Sequence, residues 1–201
     1  MNNPRSFWFL NVTQFMGALN DNFFKLLLVF ALIALQGEDE SDRISALAGA
    51  VFALPFLLFS AAGGSLADRL SKRTVIVAMK SLELAIMLTG LLAFSMNNEH
   101  FLYAVLFVMG VQSALFAPSK YGIVPEIVGR AGLSKGNGFL VAFTYLAIIL
   151  GFVLAPYVSG LTKENYVMAG VVAVAISGIG LFSSFFIMKT PAASSQTKAS
   201  V

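Results

Sequence analysis

The chain has 201 residues, 58% of them hydrophobic and only 11% charged, with a mean hydropathy of +0.83. Soluble domains carry about 25% charged residues, so the composition argues against a water-soluble enzyme and for an all-α protein solvated by lipid. A formal net charge of +3 is no sign of a nucleic-acid partner, and the lack of cysteine removes disulfides and thiolate metal sites.

Residues 1–8 form a short N-terminus with Arg5. The hydrophobic stretch after it is too long and too polar for a cleavable signal peptide. Six segments then reach the roughly 20 apolar residues that a spanning helix needs: 9–35, 44–67, 74–95, 101–119, 137–160 and 166–188. Together 9–188 reads as a six-helix transmembrane bundle. The connections "MNNEH" and "TKENY" are tight turns between antiparallel neighbours, and the single histidine, His100, sits in the first of them without metal-ligating company. No cofactor or metal is expected. From 189 to 201, "KTPAASSQTKASV" reads as a flexible tail or a truncated interdomain linker.

The basic residues set the expected topology. Arg5, Arg69, Lys72, Arg73, Lys120, Arg130, Lys135, Lys189 and Lys198 fall on one side. Arg43 and Lys163 fall on the other, and Lys25 and Lys80 lie within spans. The positive-inside rule then places both termini in the cytoplasm and the acidic "GEDESD" outside.

Polar residues inside the spans are the functional candidates, because charge in hydrocarbon is costly and must face a partner or a cavity. In the first span Gln14, Gly17, Ala18, Asp21 and Lys25 recur at helical spacing, flanked by Asn20 and Asn22. Two readings stand: an internal Asp21–Lys25 ion pair, or a site for a polar substrate or coupling ion. Between the second and third spans, "GGSLADRLSKR" crowds Gly64, Asp68, Arg69, Lys72 and Arg73 into a cytoplasmic turn. The glycine could admit a close helix, or the charges could serve topology alone. In the third span Lys80 and Glu83 can pair with each other or reach across to the first, and Lys80 lies near enough to the cytoplasmic end to snorkel. The fourth span is limited by Pro118. Lys120 and Tyr121 follow as a phosphate site or an interface anchor, then a structured turn around Gly122, Pro125 and Glu126, and Asn137 at the entrance to the fifth span.

The turn Gly64, Asp68, Arg69, Ser71, Lys72, Arg73 resembles the signature of the major facilitator superfamily, with Ser71 where that family prefers glycine. The stretches "TQFMGALNDNFFK", "FAPSKYGIVPE" and "LSKGNGFLVAFTYLAIILG" resemble its lysophospholipid transporter branch. This resemblance implies an N-terminal six-helix half of the superfamily fold in a bacterial inner membrane. It also implies a lysophospholipid flippase moving lipid from outer to inner leaflet by alternating access. Asp21, Lys25, Lys80, Glu83, Lys120 and Asn137 would line or organise the headgroup route. Gly64, Asp68, Arg69, Lys72 and Arg73 would form the gating motif. Implied partners are membrane lipids, a lipid acyltransferase, and a second six-helix half (a separate chain, a missing C-terminal part or a homodimer mate). A carrier of another amphiphile or drug, and a non-transporting assembly module or inactive half, are the competing readings. No enzymatic role is expected.

Overall fold

The computed structural model describes residues 3–190, and over that range it is helical throughout. The tail expected from 189 lies, from 191 onward, outside the described residues, as does Lys198.

Helix α1 (Pro4–Gln36) begins ahead of the expected start at 9. Asn3 caps it by accepting the Ser6 N–H at 3.1 Å, and Pro4 occupies the first helical position, where a missing N–H costs nothing. Gly37, at φ 103°, turns the chain through a short 3₁₀ segment into α2 (Ser41–Arg69). Helix α3 (Lys72–Met96) ends on left-handed Asn97. Asn98 then caps α4 (Glu99–Gly122) by accepting from Phe101 N–H at 3.0 Å. A short α5 (Val124–Val128) and a second 3₁₀ turn lead to α6 (Leu133–Leu161). Finally α7 (Tyr166–Ser184) is capped by Asn165. The six long helices are apolar and long enough to cross a membrane.

Pro118 does not end the fourth span as expected; α4 runs through it to Gly122. The proline forfeits the bond to Ala114 O. That carbonyl faces Gly63 of α2 so closely that a Cβ there would sit 2.9 Å from it. A second close approach, Gly110 against Phe52 O and Pro55, locks the same two helices nearer their other ends.

Helix α1 packs on α6 and α7, α4 packs on α2 and α3, and α3 meets α7. Exchanging the first three long helices for the last three leaves this pattern unchanged, and alternation of chain direction makes the two triplets inverted repeats. The least buried long helices are α2 and α6, whose outer faces carry Leu57, Leu58, Tyr145, Ile149, Val153 and Tyr157.

Two apolar clusters divide the bundle lengthwise. One gathers Phe23, Phe24, Leu27, Met87, Leu106 and Ala147. The other, near the N-terminal end of α1, gathers Phe7, Leu10, Ile76, Phe116, Ile127 and Leu140. On each of α1, α3, α4 and α6, polar residues fall between the members of the two clusters. The result is a polar layer at mid-height with an apolar floor and roof.

Candidate functional site

That layer encloses a cavity of about 260 Å³ walled by α1, α2, α3, α4 and α6. Helical periodicity on α1 puts Gln14, Gly17, Ala18 and Asp21 on its wall. Asn20, one residue off that face, turns instead to α3 and donates from Nδ2 to Glu83 Oε1 at 3.3 Å.

Lys80 and Glu83 are one helical turn apart on α3 and form an ion pair at 2.5 Å, with both side chains about 1% exposed. Lys80 therefore does not snorkel. Its Nζ lies 5.4 Å from the Phe116 ring centroid. A carbon added at Gly17 would run into this ammonium, and one at Gly180 would stand 3.4 Å from it.

Asp21 and Lys25 do not pair with each other. The i,i+4 spacing allows the contact, but better partners exist across the bundle. Ser113 Oγ donates to Asp21 Oδ2 at 2.7 Å. Lys25 Nζ lies 5.1 Å from the Phe52 ring and 5.4 Å from the Phe152 ring, a cation held between aromatic faces of α2 and α6. Asp21 Oδ1 is buried, and among the described residues it has no hydrogen-bond partner.

Lys120 lines the same cavity and is only 9% exposed. Its ammonium lies 4.8 Å from the Tyr121 ring and forms no ion pair among the described residues. Since Lys80 and Glu83 neutralise each other, the cavity is left with one cation, Lys120, that forms no ion pair among the described residues, and one open carboxylate oxygen, on Asp21. A buried ammonium held in no ion pair is unfavourable, so an anion reaching the cavity would find Lys120 already desolvated.

Several contributors were not singled out from the sequence. Ser113 and Gln112 on α4, Thr144 on α6 and Gly180 on α7 complete the layer. Gln112 Nε2 donates to Met79 O at 3.1 Å, and Thr144 Oγ1 lies 2.8 Å from Gln14 Oε1. A single serine or glutamine in an apolar helix is a weak signal. Only the pairing of its position with Asp21 or Gln14 across the bundle gives it meaning. Asn137 stands apart, in the first turns of α6; it does not line the cavity, and its Oδ1 is buried without a partner among the described residues.

The basic turn divides into two parts. Lys72 Nζ pairs with Glu126 Oε1 at 2.6 Å, tying α3 to α5. Arg73 donates from Nε to Ile187 O at 2.7 Å and from Nη2 to Phe185 O at 2.8 Å, clamping the chain that leaves α7. Asp68 and Arg69 point outward, exposed and without a polar partner among the described residues. The close helix contact expected at Gly64 belongs to Gly63; space is open around Gly64.

A family model described as Major Facilitator Superfamily matches residues 10–201. The lysophospholipid transporter LplT of Photorhabdus laumondii is 32% identical over 183 residues, covering 90% of this chain and 42% of that protein. The protein of the same name from Salmonella paratyphi B is 32% identical over 184 residues, with the same shares covered. The chain thus spans less than half the length of the curated relatives it matches.

Proposed function

The chain belongs to the major facilitator superfamily, and on that footing we propose that it is the N-terminal half of a lysophospholipid transporter, a multi-pass protein of the bacterial inner membrane, rather than an enzyme. The observation that carries this reading is the cavity at mid-height, where, among the described residues, Lys120 and Asp21 Oδ1 stand without a bonded partner while Lys80 and Glu83 pair with each other. A lysophospholipid has a charged headgroup and one tail. The headgroup would enter this layer with its phosphate on Lys120, and the tail would stay against apolar side chains or lipid.

Lys25 would serve as a second cation farther along α1, released from its two rings when a phosphate approaches. Lys80 and Glu83 would organise the wall without touching the headgroup, and Asn137 would act from outside the cavity, near the start of α6. With both termini in the cytoplasm, Lys120 lies toward the inner leaflet and Lys25 toward the outer. This order suits outer-to-inner movement by alternating access. The second six-helix body needed for rocking would meet the exposed faces of α2 and α6, and Asp68 and Arg69, unpaired among the described residues, would help close the cytoplasmic side. A lipid acyltransferase would consume the delivered lipid.

The test is translocation of spin-labelled lysophosphatidylethanolamine in proteoliposomes holding the full encoded protein, with any separately encoded second half added. We expect inward movement that falls on Asp21→Ala or Lys120→Ala. Folded protein that moves no lipid in either preparation would sink this reading in favour of another amphiphile or an assembly role.

A further inference from the structure

The glycines of this bundle meet different kinds of neighbour. At Gly63, Gly110 and Gly151, an added Cβ would meet backbone atoms of a neighbouring helix, the usual reason for glycine in packed membrane helices. Gly17 and Gly180 come from different helices, α1 and α7, yet both face one charged atom, Nζ of Lys80 on α3.

We propose that Gly17 and Gly180 are positioning residues that form a recess seating the Lys80 ammonium against Glu83 and keeping it out of the headgroup cavity. The surroundings of Nζ leave little choice. Glu83 Oε2 lies 2.5 Å away, the Phe116 ring covers another side at 5.4 Å, and the two glycines lie close against it. Lys80 and Glu83 both border the cavity, so the open space left to a displaced Lys80 is the cavity itself. There its charge would join that of Lys120, and Glu83 would be left without its counterion.

The recess is graded. A methyl at position 17 overlaps Nζ outright, and Cε lies 3.5 Å from it. At position 180 the methyl would be 3.4 Å from Nζ and 3.3 Å from Met16 Cβ, a contact that small shifts relieve. G17A should therefore expel Lys80, and G180A should only loosen it. Methionine at position 80 ends one atom short of Nζ, so K80M removes the atom that Gly17 must avoid and leaves the next carbon in ordinary contact.

The geometry stands whatever the cavity carries; only the effect on transport rests on the lysophospholipid reading. The full encoded protein in nanodiscs is treated with acetic anhydride, and acetylation of Lys80 is read by mass spectrometry. In the wild type Lys80 should be protected. In G17A its labelling should rise about tenfold, the population shift expected of a methyl forced into filled space, and in G180A it should rise less. The second arm places G17A in a K80M/E83Q background and follows thermal midpoint and lipid translocation. G17A should lower both in the wild-type background and neither in the substituted one. Unchanged Lys80 labelling in G17A, or an equal loss from G17A in both backgrounds, overturns the recess. If the wild type moves no lipid, the transport reading fails, while labelling and thermal midpoint still decide the recess.

Discussion

Glu83→Gln is the sharpest single perturbation of the polar layer. The substitution keeps shape and an acceptor at Oε1, so the bond from Asn20 Nδ2 can survive. What it removes is the charge facing Lys80. Both side chains of this pair are about 1% exposed and their charged atoms are 2.5 Å apart, so the substitution strands a buried ammonium without its counterion. Breaking a buried pair by deleting one partner costs about 3–5 kcal/mol. At about 2–4 °C per kcal/mol for a chain of this size, the thermal midpoint should drop by roughly 6–20 °C. The assay is the fraction of monomer surviving heating in detergent, resolved by size exclusion. K80M/E83Q, which removes both charges and fills the site with methionine, should recover most of the loss, because no buried charge is left without its partner. A midpoint for E83Q within about 2 °C of wild type would refute the reasoning, since the pair would then be solvated or unformed. A double variant as unstable as E83Q would refute it too, by showing that packing rather than charge was lost.

Three further predictions test other parts of the molecule. Arg73→Ala removes two hydrogen bonds from a cation to carbonyls of the chain leaving α7; it should cost about 2 kcal/mol and speed proteolysis near residue 188, whereas the exposed Asp68→Asn should leave the midpoint unmoved. Lys120→Ala should weaken binding of a spin-labelled lysophospholipid by about tenfold or more, with little change in midpoint because Lys120 forms no ion pair among the described residues. Gly63→Leu should depress the yield of folded monomer, since its side chain meets Ala114 O and Leu115 Cα on α4, while Gly64→Leu, facing open space, should be tolerated. The adjacent pair makes an internal control for expression.

Much of the architecture can be read in the chain itself. Six apolar runs of spanning length, the two tight turns and the asparagines that cap α4 and α7 are local properties, fixed by hydropathy and by side chains that reach their own backbone. Even the presence of a polar layer is local information, because Asn20, Asp21, Lys80 and Glu83 each break an otherwise apolar span. What local information lacks is the identity of partners. Spacing along α1 made an Asp21–Lys25 pair plausible, yet Asp21 bonds Ser113 from α4 and Lys25 lies between rings from α2 and α6. Of two neighbouring glycines, only Gly63 faces α4, which no count along α2 could tell. Pro118 carries a helix-ending signal, yet α4 continues through it to Gly122, and the carbonyl that this frees lies against Gly63. The sequence alone determined which residues must leave the lipid, since hydration cost is a property of each side chain. The tertiary structure decided where each one goes, because in a packed bundle a charge takes the nearest compatible partner in space, and that partner usually sits on another helix.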